Sequence, residues 1–253
     1  RANENAANAA KMFNITVQET IASVKNIPDY SVLVLGNDWG IFEQKLNNDF
    51  QSQNINTICI QESSIDFNPK DNRMRYCSFP IFQGVAALSN FDIKGLICAV
   101  IGNPRFENIK ADSQITNDKA LINVNFTYNI YEEVREKWVE DVVNSCREED
   151  IEFVISQHPR DKGDFSDYKV VKSSALFVHN SIKECSVLIS RFSALLTEAV
   201  ALGRPAIYYN PHKENMHYRF EQDDKMFFVA ENKEQLKAAL RAVKVANANN
   251  ISG

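Results

Sequence analysis

The sequence predicts an α/β protein of two domains, each built on a parallel sheet. Its 253 residues suit one large or two small domains. Short apolar runs alternate with segments whose apolar residues recur every three or four positions, which is the pattern of strands joined by helices. Such alternation indicates parallel strands, because a crossover helix returns the chain to the same end of the sheet. A polar stretch without periodicity, residues 105–119, places the domain boundary near Lys110.

The first domain, residues 1–110, is short, with few predicted strands. Residues 64–80 are polar and are predicted to form a loop that orders over a substrate. The elements predicted around this loop are helices at 3–25, 39–53 and 82–91 and strands at 31–37, 56–62 and 96–104.

The second domain, residues 111–253, has a fuller set of elements. Strands are predicted at 120–126, 151–156, 168–171, 187–189, 206–209 and 227–230, and helices at 131–149, 181–184, 194–202 and 231–246. Gly203 and Pro205 are expected to end the third of these helices.

Composition and charge exclude several classes of protein. The net charge of −5 and the pI near 5.5 argue against a nucleic-acid partner. The sequence contains no apolar run of the roughly 20 residues that a membrane span needs. The five cysteines are odd in number and scattered, as expected for buried thiols in a reducing compartment. We therefore expect a cytoplasmic protein, with attachment to the inner face of a membrane or to a larger assembly as a further expectation.

The stretch from 185 to 214 predicts a strand, a turn, a helix and a second strand, with chemistry at the first turn. Ser190, Arg191 and Ser193 lie there, and Ser193 is a candidate N-cap. A helix start offers unpaired N–H groups to phosphate oxygens, while Glu198, further along, would reach a ribose. The alternative is an ordinary capped helix with a surface glutamate.

Polar residues at the predicted strand ends of the first domain are candidates for the acceptor side of a site. Ligands of parallel sheets bind beyond the carboxyl ends of the strands. Asn37, Asp38, Asn103 and Arg105 qualify by position. Glu62 also follows a strand, and partial burial there would raise its pKa toward that of a general base. The alternative for Glu62 is a helix cap or a surface charge.

Two loops of the second domain complete the candidate site. His158, Pro159 and Arg160 follow the second strand, and such a histidine can donate to a phosphate or protonate a leaving group. Thr127 and Tyr128 follow the first strand. We expect these loops to converge with Ser190–Ser193 and Glu198, although His158 alone would also suit an ordinary loop.

Taken together, these residues resemble the nucleotide-binding half of a GT-B glycosyltransferase. Bacterial sialyltransferases, β-Kdo transferases and CDP-glycerol polymer transferases of this clan carry a His-Pro motif, which His158-Pro159 matches. They also carry a serine motif, which the turn at 190–193 matches loosely because its serines are not adjacent. Glu198, with Gly203 and Pro205, matches the Glu-x-x-x-x-Gly-x-Pro pattern of many GT-B enzymes.

The resemblance implies two Rossmann-like domains that face a cleft, with a short or truncated N-terminal domain. In such families the histidine and serines bind a cytidine nucleotide's phosphate, the glutamate binds the ribose, and no metal or other cofactor takes part. A carboxylate of the first domain serves as the base. Glu62 stands where it is expected, although its motif lacks the usual glycine.

Three functions remain open. The first is transfer of a sugar from a nucleotide donor, best a CMP-activated sugar such as Kdo, to a glycan or glycolipid acceptor of a bacterial surface polysaccharide or lipopolysaccharide. The second is a polyol-phosphate transfer of the CDP-glycerol type. The third is a non-catalytic GT-B-like scaffold, which the short first domain favours.

Overall fold

The computed structural model describes residues 27, 30–61, 73–88, 95, 97–103, 117–172, 178–214 and 225–251, without the side chains of 86 and 248–251. The helix predicted at 3–25, the boundary near Lys110, and the candidates Glu62 and Arg105 lie outside these residues.

The first sheet has four strands in the order β1-β2-β3-β4. Strand β2 pairs in parallel with both β1 and β3. The strands are β1 (Val32–Leu35), β2 (Asn56–Ile60), β3 (Phe79–Phe82) and β4 (Ala99–Val100), and the helices are α1 (Ile41–Gln51) and α2 (Val85–Leu88).

Strand β3 corrects the prediction for this region. The loop predicted at 64–80 and the helix predicted at 82–91 both overlap β3, and α2 begins only at Val85. In the sequence, Pro80 argues against a strand, because proline has no N–H to donate to a neighbouring strand. Pairing of Ile58 with Phe79 and of Ile60 with Ile81 forms the strand despite the proline.

The second sheet has six strands, all parallel, in the order β10-β9-β8-β5-β6-β7. Its strands are β5 (Lys119–Val124), β6 (Glu152–Gln157), β7 (Val170–Lys172), β8 (Val187–Ser190), β9 (Ala206–Tyr209) and β10 (Phe227–Ala230). Its helices are α3 (Arg135–Glu148, after a 3-10 turn at Glu132–Val134), α4 (Val178–Lys183), α5 (Leu195–Ala201) and α6 (Lys233–Ile251).

Numbered from β5, the second sheet has the strand order 3-2-1-4-5-6 of a doubly wound nucleotide-binding sheet. The order reverses between the neighbours β5 and β8, where Ile122 pairs with Ile189 and Asn123 with Ser190. In such sheets the crevice at the reversal, outside the carboxyl ends of the strands, is where ligands bind.

Helices cover both faces of the second sheet. One apolar cluster joins the strands to α3 and α6, and the other joins them to α4 and α5. Successive strand residues alternate between the clusters: Leu121 and Leu188 belong to one, Ile122 and Ile189 to the other. Burial on both faces explains why these strands read as continuous apolar runs in the sequence.

The prediction of an α/β fold with two parallel sheets is confirmed. The chain divides into two compact units, one holding the described residues up to Ile60 together with 73–81, the other holding Gln61 and the described residues from Phe82 onward. Among the described residues, no helix is long and apolar enough to cross a bilayer.

Candidate functional site

The candidate site is the carboxyl edge of the second sheet, where four loops follow β5, β6, β8 and β9. The strand reversal places the β5 and β8 loops side by side. The Asn123 amide donates to the Ser190 Oγ at 2.9 Å, and the Asn125 amide donates to the Phe192 carbonyl at 2.7 Å. The first bond joins the ends of strands β5 and β8, and the second joins the loops that follow them.

Ser190 has a structural contact at this edge. Its side chain is fully buried, and its hydroxyl accepts the hydrogen bond from Asn123. The sequence predicted that Ser190 holds phosphate, and that role stays a prediction. Ser193 lies beyond the strand, and its hydroxyl accepts from the Leu195 N–H at 3.2 Å.

Arg191 is buried and holds three loops together. Its guanidinium makes a bidentate ion pair with Glu214, in which Nε lies 3.1 Å from Oε2. It also donates to the Asn125 carbonyl at 3.2 Å and lies over the rings of Phe126 and Tyr131. A phosphate would therefore have to compete with Glu214 for this cation.

Glu214 is kept ionised inside the protein. Burial alone would raise its pKa, but the nearby His212 and the Arg191 guanidinium outweigh burial, so the pKa lies below its usual value. Asn210 closes the turn at 210–214 with two hydrogen bonds to Glu214. Its Oδ1 accepts from the Glu214 N–H at 2.7 Å, and its Nδ2 donates to the Glu214 carbonyl at 3.1 Å.

His158 is half-buried directly after β6, and its backbone N–H donates to the Val124 carbonyl at 2.9 Å. The Arg160 backbone N–H lies 3.2 Å from Nδ1, so Nδ1 accepts and Nε2 carries the proton of the neutral ring. Burial, followed by the Arg160 charge, lowers the pKa of His158. A neutral imidazole with Nε2–H can donate one hydrogen bond to a phosphate oxygen.

Asp161 joins the β6 loop to the β5 loop. Its carboxylate accepts from the Phe126 N–H at 2.7 Å and from the Gly163 N–H at 2.8 Å, and it pairs with Arg135 at 3.1 Å. Because these partners lie on several segments, this one buried carboxylate fixes the relative positions of the two loops.

The β5 loop has a buried residue, Thr127, followed by an exposed aromatic residue, Tyr128. Thr127 is buried, whereas Tyr128 is 65% exposed, with a left-handed backbone at φ 60°. Arg160 lies over the Tyr128 ring at 5.2 Å and donates to its hydroxyl. Pro159, which precedes Arg160 in the β6 loop, is exposed. Tyr128 and Arg160 thus present an aromatic face and a cation to solvent.

Glu198 lies on α5, with its residue 1% exposed, and its carboxylate is 2.8 Å from the Nε2 of His179. The helical turn predicted at 181–184 is in fact helix α4, which begins earlier, at Val178. His179 lies in this extra part of the helix, so the sequence did not suggest its contact with Glu198. Helix α5 has seven residues and its N-cap is Ala194 rather than Ser193, so the helix-start argument for phosphate binding is weaker than the sequence suggested.

Three acceptor-side candidates, Asn37, Asp38 and Asn103, follow strands of the first sheet. Asp38 is fully buried, and its carboxylate accepts from the backbone N–H groups of Met74, Tyr76 and Cys77 at 2.6, 2.8 and 3.2 Å. It therefore fixes the segment that leads into β3. The Asn103 amide donates to Gln83 at 3.3 Å, and Asn37 is half-buried.

Among the described residues, one group has the composition of a metal site: Asp38, Cys59 and Cys77 place ligand atoms within 4.8 Å of one another. The Asp38 oxygens already accept three backbone hydrogen bonds, which accounts for the burial of that carboxylate without a metal.

The loops at Thr127-Tyr128, His158–Arg160 and Ser190–Ser193 thus meet at one edge of the second sheet, while Glu198 contacts α4. The residues that tie these loops together were not predicted from the sequence: Asn123, Asn125, Asp161, Asn210 and Glu214. A polar residue at or just beyond the end of an apolar strand was the signal that could have identified the first two.

No protein-family model matches the chain, and a comparison with curated proteins found no match. Among solved structures, it is similar to the UDP-GlcNAc 2-epimerase of Methanocaldococcus jannaschii in complex with UDP-GlcNAc and UDP, with a TM-score of 0.61 and 15% identity over 94% of this chain and 80% of that one.

Two further solved structures are similar to the same extent. The UDP-GlcNAc 2-epimerase of Neisseria meningitidis bound to UDP-GlcNAc has a TM-score of 0.62 and 12% identity over 99% of this chain and 83% of that one. The glycotransferase of kitacinnamycin has a TM-score of 0.58 and 10% identity over 98% of this chain and 84% of that one. At these identities the similarity shows the fold alone, and that fold is an α/β fold of the GT-B kind.

Proposed function

We propose that this chain binds a nucleotide-sugar at the reversal of the second sheet and transfers its sugar to an acceptor. The observation that carries the proposal is the polar edge at β5 and β8, where doubly wound sheets bind their ligands. The similar 2-epimerases of M. jannaschii and N. meningitidis hold UDP-GlcNAc, which supports a nucleotide-sugar as the ligand class.

Within this proposal the second domain binds the donor. His158 donates its Nε2–H to a phosphate oxygen, and Arg160 adds an exposed cation beside it. Ser193 and the Thr127-Tyr128 turn contribute further polar contacts, and Glu198 is the candidate for the ribose. A hydrogen bond to a charged group contributes about 1.5–3 kcal/mol, so a few such contacts offset much of the phosphate desolvation without a metal.

The first domain supplies the acceptor side. Glu62 is the candidate general base, and Asn37, Asn103 and Arg105 are the candidate acceptor contacts. Asp38, which is fully buried, would instead hold the segment 74–77 in place. The finer version of the proposal has a CMP-activated sugar such as Kdo as donor and a bacterial surface glycan or glycolipid as acceptor, used at the inner face of a membrane. It is supported by the resemblance carried by His158-Pro159 and Glu198.

Epimerisation of a nucleotide-sugar is a second candidate, favoured by the similarity to the two 2-epimerases. It differs from transfer in needing no acceptor. Polyol-phosphate transfer and a non-catalytic scaffold are the remaining alternatives, and only the scaffold predicts a protein that turns over no nucleotide-linked substrate.

Calorimetry and thermal shift with UDP, CDP and CMP test the donor site. A ligand at 100 times its Kd should stabilise the fold by about 2.7 kcal/mol. His158→Ala should weaken binding of that ligand by about 1.5–3 kcal/mol, while exposed Lys137→Ala on α3 serves as the control that should leave affinity unchanged. Absence of binding at millimolar nucleotide would contradict the proposal.

The reaction class is decided by NMR of UDP-GlcNAc and CMP-Kdo incubated with the protein. Conversion of UDP-GlcNAc to its 2-epimer without acceptor would favour epimerisation. Release of nucleotide that depends on an added glycan acceptor is the result expected for transfer.

A further inference from the structure

His212 is a buried histidine at the same edge of the second sheet, in the turn that follows β9. Its side chain is 8% exposed, Nδ1 has no hydrogen-bond partner among the described residues, and the one polar contact printed for Nε2 is the Glu214 carboxylate at 3.5 Å. Leaving a buried polar group without a partner is destabilising, so native proteins keep few of them. Stability alone therefore does not explain a histidine at this position.

The turn that carries His212 is fixed in place. Asn210 closes it through the two hydrogen bonds to Glu214, and Lys213 adopts a left-handed backbone at φ 53° within it. The ring of Tyr131 packs against the imidazole, with centroids 4.6 Å apart. The imidazole is thus held between a closed turn and an aromatic side chain.

A carboxylate lies beside one nitrogen of this imidazole. Glu214 Oε2 is 3.5 Å from the His212 Nε2, within ion-pair range but too long for a good hydrogen bond. Glu214 itself is held by Arg191, which also contacts the β5 loop. This carboxylate can accept the Nε2–H, which leaves Nδ1 for a ligand, and Nδ1 donates to a phosphate only in the imidazolium, which carries a proton on both nitrogens.

The loop that covers His212 is strained. Tyr128, Asn129 and Tyr131 all have left-handed backbones, with φ of 60°, 59° and 55°. Residues other than glycine are disfavoured there, and such strain is found at ligand clamps and switch regions. This loop belongs to the edge that is proposed to bind the nucleotide, and its Tyr131 side chain packs against the imidazole of His212.

We propose that His212 is a ligand-binding residue of this site, which contacts the phosphate groups of the nucleotide-sugar when the loop at 128–131 shifts to admit them. This proposal depends on the proposed function, since it names a further contact to the same ligand. The phosphates are the part of the ligand that fits, because the Arg191 guanidinium and an imidazolium at His212 share the single negative charge of Glu214, which leaves one positive charge for an anion.

The variant His212→Phe keeps a ring against Tyr131 and removes both nitrogens. UDP, CDP and uridine are titrated into the parent protein and this variant by calorimetry, and melting temperatures are recorded. We expect at least a tenfold loss of affinity for the diphosphate that the parent binds, no change for uridine, and a melting temperature equal to or above that of the parent, because an unsatisfied polar group has been removed.

Two further variants keep the test decisive. His212→Gln retains hydrogen-bonding atoms and should recover part of the lost affinity. Tyr209→Phe removes a hydroxyl that bonds Asp141 on α3, within the same unit, and is the control for general effects of losing a buried polar group. It should leave UDP and CDP affinity unchanged.

The outcomes separate this inference from the proposed function. If the parent binds none of UDP, CDP and CMP, the proposed function and the role of His212 are both contradicted. If the parent binds one and His212→Phe binds it equally well, only the role of His212 is overturned. A variant that melts well below the parent, with His212→Gln binding as the parent does, would make His212 a structural residue.

Discussion

His158 is held in one tautomer by its own turn. The Arg160 backbone N–H satisfies Nδ1, and burial together with the Arg160 charge disfavours a second proton. The sequence could predict a histidine at a strand end but not this arrangement, because the donor to Nδ1 is a backbone group whose position depends on the turn. The donor atom offered to a ligand is thereby fixed as Nε2.

The lowered pKa of His158 has a consequence for acid stability. The folded state resists protonation, whereas the unfolded state binds a proton near the ordinary imidazole pKa of about 6.5. The stabilising contribution of this group is therefore full above about pH 6.5 and is lost as pH falls through the lowered folded value.

Urea unfolding of the parent and of His158→Gln at pH 7.5 and pH 5.5 checks this prediction. The parent should lose more of its free energy of unfolding between the two pH values than the variant does. Equal losses would show that His158 is not protonated more readily on unfolding.

The pair of Arg191 and Glu214 makes the second prediction at the residue scale. Both side chains are nearly buried, and removal of one partner leaves a charge without compensation. Arg191→Met should lower the free energy of unfolding by about 3–5 kcal/mol, and the double variant Arg191→Met, Glu214→Leu should recover much of that loss.

The exposed pair of Lys233 and Glu148 is the matched control for chemical denaturation. Lys233→Met should cost less than about 1 kcal/mol. If Arg191→Met were as mild as this control, the buried pair would not be what fixes the three loops.

At the scale of elements, the strands of the second domain could be predicted because burial on both faces gives each an apolar run. Strands β5, β6, β8, β9 and β10 lie within two residues of their predicted bounds. Strand β3 was missed because its pairing with β2, a tertiary interaction, overrides the local signal of Pro80. Helix α4 was predicted too short, which concealed the contact between His179 and Glu198.

The end of α5 makes the element-scale prediction. Gly203 follows this helix with a left-handed backbone at φ 77°, as the sequence indicated. Gly203→Ala should lower the free energy of unfolding by roughly 1–2 kcal/mol because a Cβ disfavours that backbone. Gly84→Ala, where a Cβ meets nothing within 4 Å, is the control and should be nearly neutral. Equal effects of the two substitutions on urea unfolding would contradict this account of the helix end.

For the whole molecule, the proposed function places the nucleotide-sugar donor on the second domain and the general base on the first. Glu62→Gln should then lower turnover about 100-fold or more while nucleotide affinity stays nearly unchanged. Steady-state kinetics with calorimetry on the same preparation measure both quantities. Unchanged turnover would return Glu62 to the role of a cap or a surface charge.

The site could be predicted from the sequence only in outline. The loops at Thr127, His158 and Ser190 could be predicted to lie together, because they follow parallel strands whose carboxyl ends meet at one edge of the sheet. The sequence could not show that Arg191 pairs with Glu214 or that Ser190 bonds Asn123, because these contacts join segments far apart in the chain.

Hydrogen exchange followed by mass spectrometry, with and without saturating UDP, CDP or CMP, whichever binds, tests nucleotide binding at the strand reversal most directly. We expect slower exchange in the loops at 125–130, 158–161 and 190–194, which follow β5, β6 and β8. Unchanged exchange in these loops, with protection confined to the first sheet, would contradict nucleotide binding at the strand reversal.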